Sequence, residues 1–233
     1  MRGTFYGIGV GPGDPELLTI KAANILKKVD VIIAPKTEKK EGSVAFNIAR
    51  PYLRDDVEIV YQVFPMVRGF AGNSGDAWEK NKDEIIALLD AGKNVAFLTL
   101  GDAMFYSTYI YVFRLLEKAG IPIETVPGIP AFVAIGSNLN WPIVEGDDVL
   151  SIIPATAGPE RVREAIRTAD NVVIMKVYKN FPDIADTLQE CGMIDKAVMV
   201  SRCGLPDEER IDDIASRSRQ PVNYLSTVLA RKR

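Results

Sequence analysis

Strand-like and helix-like stretches alternate along nearly the whole chain, and this alternation leaves few folds open. Residues 4–10 are rich in β-branched and aromatic side chains and read as a strand. Residues 16–28 carry Leu17, Ile20 and further apolar side chains at helical spacing. A short buried strand follows at 30–34, a helix at 43–52, an alternating strand at 57–63 and an amphipathic helix at 76–90 that stops at Gly92. Residues 95–100 are continuously apolar up to Gly101, the mark of a central parallel strand. A helix at 107–118, stopped by Gly120, and a strand at 123–126 complete the first half. After Pro127-Gly128 the pattern restarts: helix 130–138, strand 149–153, helix 159–168, strand 171–177, helix 184–191, strand 197–203 and a last strand 224–231. The pattern predicts an α/β fold of two lobes with largely parallel sheets, 1–126 and 127–233. The segment 62–76, with Pro65, Gly69, Gly72 and Asn73, has little periodicity; it reads equally as a binding loop or as a plain connection.

Composition narrows the chemistry. A chain of 233 residues with 47% hydrophobic content can bury a real core. The net charge of −3 lacks the basic footprint of a nucleic-acid binder. No apolar run is long enough to span a bilayer and no leader pattern opens the chain, so a cytoplasmic protein with no membrane partner is expected. Cys191 and Cys203 form neither a metal spacing nor a disulfide framework, so no metal is expected. There is no histidine, which excludes a Ser-His-Asp triad, a Cys-His dyad and a histidine-ligated zinc. Acid–base work falls to Asp, Glu, Lys, Tyr or water, which favours a reaction that needs little proton transfer.

Two loops stand out. The first strand runs into Gly7-Ile8-Gly9-Val10-Gly11-Pro12-Gly13-Asp14-Pro15, where glycines permit positive φ and close backbone approach to a ligand. It is not a dinucleotide fingerprint, because Pro12 stands where the third glycine belongs, and no Gly-Lys-Ser/Thr follows to make a phosphate loop. Asp14 is placed to cap the next helix with Pro15 in its first turn; a catalytic role is its second reading. The other loop, Gly101 to Thr108, leaves the central apolar strand, at the end where ligands of open α/β sheets sit. Asp102, directly after a buried strand, needs partners, either backbone amides or donors of a ligand. Ser107 and Thr108 are placed to cap the following helix and also to face a cleft.

Together with Val126-Pro127-Gly128-Ile129-Pro130-Ala131, these loops resemble the tetrapyrrole methyltransferases that use S-adenosylmethionine. The matching pieces are Gly9 to Asp14 with Leu17-Leu18-Thr19, then Gly101, Asp102, Tyr106 and Ser107, then Pro127, Gly128 and Ile129. The finer likeness is to the members that methylate carbon 20 of precorrin-2 or cobalt-factor II, through the long stretch between the two loops and the end Tyr224-Leu225-Ser226-Thr227-Val228. One departure is Pro35, where uroporphyrinogen methyltransferases carry an aspartate suspected of acid–base work. The resemblance implies a homodimer, with the cofactor in a cleft between the lobes. The first lobe would supply the substrate side, and the second would complete the cofactor pocket. By residue-wise carry-over S-adenosylmethionine, leaving as S-adenosylhomocysteine, would touch Pro12, Leu100, Gly101, Asp102, Phe105, Pro130, Ala131, Met175 and Gly204, with Ser107 and Thr108 as weaker additions. Core packing is the equal alternative for Met175.

Methyl transfer from a sulfonium to an electron-rich carbon needs no acid for its neutral leaving group, so no catalytic residue is assigned. Tyr106, Lys36 and Asp14 are the candidates for a base. The implied substrate carries many carboxylates, and a local basic patch rather than net charge sets the field in a cleft. Lys36, Arg68 and Arg202 are the expected carboxylate partners, with Lys39 and Lys40 close to Lys36. Alternatives are a C-11 or C-17 methyltransferase, a diphthine synthase, a nicotinamide-dependent oxidoreductase and a non-catalytic ligand-binding module.

Overall fold

Strand β1 (Phe5–Gly9) lies inside a five-stranded sheet, flanked by β4 (Val95–Thr99) and β5 (Ile123–Val126), in a computed structural model that describes residues 1–36, 42–65 and 75–232. With β2 (Val31–Lys36) and β3 (Glu58–Val63) the order is β3-β2-β4-β1-β5, and every pairing is parallel. All five residues of β4 are buried, as expected of a strand covered on both faces. The covering helices are α1 (Ile20–Leu26), α2 (Val44–Ala49), α3 (Asp76–Asp90) and α4 (Tyr109–Lys118). Phe5, Phe64, Trp78, Phe97 and Tyr109 form an aromatic core against α3 and α4, with Phe64 and Trp78 ring centres 4.9 Å apart. Gly7 belongs to this core: a Cβ there would lie 2.0 Å from the Tyr109 ring, whose hydroxyl pairs with Thr125 Oγ1 at 2.6 Å.

The helix expected over 16–28 is two pieces. Asp14 Oδ1 accepts from the Glu16 N–H at 2.9 Å and caps a short 3-10 turn, Pro15–Leu17. Leu18 is extended, and Thr19 then caps α1 by accepting from the Ala22 N–H at 3.2 Å. Thr19 offers the next amides a hydroxyl, so the helix restarts there.

The first compact unit runs from Met1 to Pro130, past the division expected near Val126. Pro127 to Pro130 stay with it because the Gly128 N–H donates to Asp102 Oδ2 at 2.9 Å and Gly128 lies against Gly9.

The second unit, Ala131–Arg233, has its own five-stranded sheet. Its strands are β6 (Leu150–Pro154), β7 (Asn171–Met175), β8 (Ala197–Ser201), β9 (Glu209–Ile211) and β10 (Ser226–Arg231), in the order β6-β7-β10-β8-β9. Only β6 and β7 pair in parallel; β10 runs against both β7 and β8, and β9 against β8. The helices are α5 (Ala131–Asn138), α6 (Pro159–Thr168), α7 (Phe181–Glu190) and α8 (Ile214–Arg217). Two strands end earlier than their sequences suggest. After Met175 the backbone of Lys176 turns left-handed at φ 58°, and after Ser201 Arg202 does the same at φ 57°.

Candidate active site

In the first unit, the carboxyl ends of β1, β4 and β5 meet without side chains between them. Gly11 and Gly101 have φ of +79° and +74°, the left-handed region that glycine occupies without a Cβ penalty. They bond reciprocally: the Gly11 N–H donates to the Gly101 carbonyl at 3.2 Å, and the Gly101 N–H to the Gly11 carbonyl at 2.8 Å. Gly9 and Gly128 serve contact rather than φ. A Cβ on Gly9 would lie 2.5 Å from Gly128 N and 2.8 Å from the Gly101 carbonyl oxygen, and one on Gly128 only 2.2 Å from that same oxygen. Gly101 is itself buried, and a Cβ there would meet Ile129 and Pro130 at 4.0 Å, an ordinary packing distance. The result is a backbone ledge.

Asp102 is tied into this ledge. Its Oδ1 accepts from the Met104 N–H at 2.8 Å and its Oδ2 from the Gly128 N–H at 2.9 Å, so backbone amides supply the partners its position demands. An ionised carboxylate has about four acceptor sites, which leaves room for a ligand donor. The 102–108 loop is also closed internally, because the Ser107 hydroxyl donates to the Ala103 carbonyl. Ser107 therefore bonds backwards rather than capping α4, and Thr108 holds the cap position without a side-chain capping bond. Ala103 is fully buried, while Met104 and Tyr106 point outward. Tyr106 is left-handed, at φ 47°, and its ring centre lies 4.7 Å from that of Phe105. Burial pushes its phenol above the ordinary value, the wrong direction for a base at neutral pH. Asp14 is occupied as a cap.

Thr99, the last residue of β4, was not singled out from the sequence. It is buried, and its hydroxyl has no partner among the described residues. An unpaired buried hydroxyl costs about 1–3 kcal/mol. Its only signal in the sequence is a hydroxyl closing an otherwise apolar strand. Two residues before Gly101, it leaves a polar group unsatisfied at the strand end where the ledge forms.

The other expected site residues fall as follows. Pro12 is buried just past Gly11, Leu100 is half-buried just before Gly101, and Pro130 adjoins Gly101, while Phe105 is half-buried in the following loop. Lys36 ends β2 with its ammonium 5.7 Å from the centre of the Tyr61 ring, and Pro35 pairs with Gln62 in the sheet. In the second unit, Ala131 opens α5, and Met175, half-buried, ends β7 opposite Thr227. Arg202 forms an ion pair with Asp207 at 2.5 Å, whose carboxyl is held below its usual range by that guanidinium. The Gly204 N–H donates to Glu208 Oε2 at 2.5 Å. Beside it, burial and the Glu208 charge push the Cys203 thiol up to about 12. Arg68, Lys39 and Lys40 lie outside the described residues, as does most of the 62–76 segment. Among the described residues no cluster of His, Cys, Asp and Glu is placed to hold a metal, and no helix is long and apolar enough to cross a membrane.

Comparison with known proteins fits this arrangement. A family model described as Tetrapyrrole (Corrin/Porphyrin) Methylases matches residues 4–215. The cobalt-precorrin-2 C(20)-methyltransferase of Salmonella typhimurium is 35% identical over 100% of this chain and 98% of its own length. A probable cobalt-precorrin-2 C(20)-methyltransferase of Methanocaldococcus jannaschii is 39% identical over 73% of this chain and 71% of its own. Among solved structures, the uroporphyrin-III C-methyl transferase of Thermus thermophilus, complexed with S-adenyl homocysteine, superposes with a TM-score of 0.73 at 22% identity, covering 98% of that chain and 99% of this one. The chain therefore belongs to the tetrapyrrole (corrin/porphyrin) methylase family.

Proposed function

We propose that this chain transfers a methyl group from S-adenosylmethionine to carbon 20 of precorrin-2, with the cobalt-bearing macrocycle as its substrate. The supporting observation is whole-length likeness to a protein of that name, with the glycine ledge at the expected place in the fold. When bound, S-adenosylmethionine would supply a methyl group on a positively charged sulfur; the thioether left behind is neutral and needs no acid, and the proton displaced from the methylated carbon is released to water. The residues of this chain then have positioning to do, which suits a sequence without histidine. Holding two reacting centres close and in line supplies up to about 7–11 kcal/mol in favourable cases. The absence of a side chain at Gly101 lets the ligand approach the backbone, the Thr99 hydroxyl gains a polar partner, and the spare acceptor sites of Asp102 take a ligand N–H or O–H. Pro12, Leu100, Phe105 and Pro130 wall the ledge. Lys36, at the mouth of β2, pairs with a substrate carboxylate in place of the Tyr61 ring.

The deciding experiment is anaerobic incubation with methyl-labelled S-adenosylmethionine and either the cobalt-bearing or the metal-free substrate, followed by NMR of the product. Label at carbon 20 with the cobalt form preferred is the expected result. Label at carbon 11 or 17, or no transfer with either form, overturns the assignment. The reading also carries a homodimer working in the cytoplasm, and sedimentation of the purified protein checks the first of these.

A further inference from the structure

We propose that Tyr106, with Met104 beside it, forms a platform that seats the flat face of the tetrapyrrole and helps to select it. The inference rests on the methyltransferase reading above. It starts from the backbone. A tyrosine at φ 47° sits in a region that bulky residues avoid, and such conformations persist where the surroundings enforce them. Here they do: Asp102 grips the Met104 amide, the Ser107 hydroxyl closes onto the Ala103 carbonyl, and the Ala103 side chain is anchored in the core. An asparagine or glycine would make the same turn without strain, so the ring is what the turn adds.

Enforcement has a visible outcome. Two large apolar side chains on one short loop are held in the open, Met104 at 46% exposure and Tyr106 at 41%. The Tyr106 ring is braced by Phe105, 4.7 Å away. The loop leaves the carboxyl end of the central strand, where ligands of parallel sheets bind. Thr99 at the end of β4 and Gly101 at the start of the loop are buried, while Met104 and Tyr106, further along it, are exposed. An aromatic face and a polarisable thioether complement a flat conjugated macrocycle. The small, polar-armed cofactor is matched by the inner ledge instead.

Tyr106→Asn tests this, because asparagine tolerates the left-handed backbone but lacks the ring. The expected result is a tetrapyrrole KM raised about tenfold, with the dissociation constant of S-adenosylhomocysteine within about twofold of the parent. Tyr106→Phe should recover most of the lost affinity. An unchanged KM in folded Tyr106→Asn, or an equal loss of S-adenosylhomocysteine binding, overturns the platform. If Tyr106→Asn does not fold, Met104→Ala, an exposed position, carries the test: its KM should rise about threefold, and no rise overturns the proposal. Quenching of protein fluorescence by uroporphyrin, a planar polycarboxylate, separates the two levels of argument. If the protein methylates neither form of precorrin-2, the parent reading fails; the platform then stands only if Tyr106→Asn loses uroporphyrin binding that the unaltered chain shows.

Discussion

The two units reverse the chain at the carboxyl ends of their strands by opposite means. In the first, Gly11 and Gly101 take the left-handed turns and let three strand ends touch backbone to backbone. In the second, Lys176 after β7 and Arg202 after β8 take the same φ region with long cationic side chains attached. Glycine turns bring backbones together at no steric cost. Charged left-handed turns carry strain of about 1–2 kcal/mol each. One set of strand ends is therefore built for close approach, while the other keeps strained cations partly buried, Arg202 paired with Asp207.

Substitutions can break this contrast. The largest effect is expected from Gly128→Ala, whose Cβ would be 2.2 Å from the Gly101 carbonyl oxygen and 2.6 Å from the Gly9 carbonyl carbon. Both neighbours are backbone, so nothing yields cheaply. A loss of about 3–5 kcal/mol in urea unfolding is expected, and a loss under 1 kcal/mol would show that the ledge is not tightly closed. Next is Asp102→Ala, which frees the Met104 and Gly128 amides together. It should cost about 2–3 kcal/mol in the same measurement, with weakened S-adenosylhomocysteine binding by calorimetry.

In the second unit the sign should reverse. Lys176→Gly relieves a left-handed lysine whose ammonium is partly desolvated, a burial that lowers its pKa. A gain of about 0.5–1 kcal/mol in thermal unfolding is expected, and a loss would mean that the cation holds that edge together. The smallest effect concerns Cys203, under the turn that begins at Arg202. Its thiol is buried and pushed up to about 12, so at pH 8 almost none is thiolate. Titration with a disulfide reagent at pH 8 should label half-buried Cys191 well before Cys203, and both in denaturant. Rapid labelling of Cys203 would mark the turn as loose.

The elements that could be read in the sequence are those with one dominant cause. Strand β4 is legible because continuous burial leaves an apolar run broken only by its last residue, Thr99, and α3 because one apolar stripe ends at a glycine. Strand β9 was missed: of its three residues only Ile211 is buried, too little for a pattern. The ends of β7 and β8 were overrun because lysine and arginine carry no sequence signal for a left-handed backbone. At the site, the glycines were found as a group but their separate duties were not. Gly7 clears a tyrosine ring, Gly9 clears another backbone and Gly11 supplies a positive φ, and only packing from distant strands distinguishes them. Thr99 was overlooked because a β-branched residue at a strand end looks like ordinary strand chemistry until its hydroxyl proves unpaired.

The position of β10 bears on how the chain is made. All five strands of the first sheet are translated before any strand of the second, so that unit can close while the ribosome is still at work. The second sheet has no such head start. Its middle strand emerges last, and until then β7 and β8 lack the neighbour that joins them. During that interval the nascent chain displays two unsatisfied strand edges, the point at which a chaperone would be most useful to it.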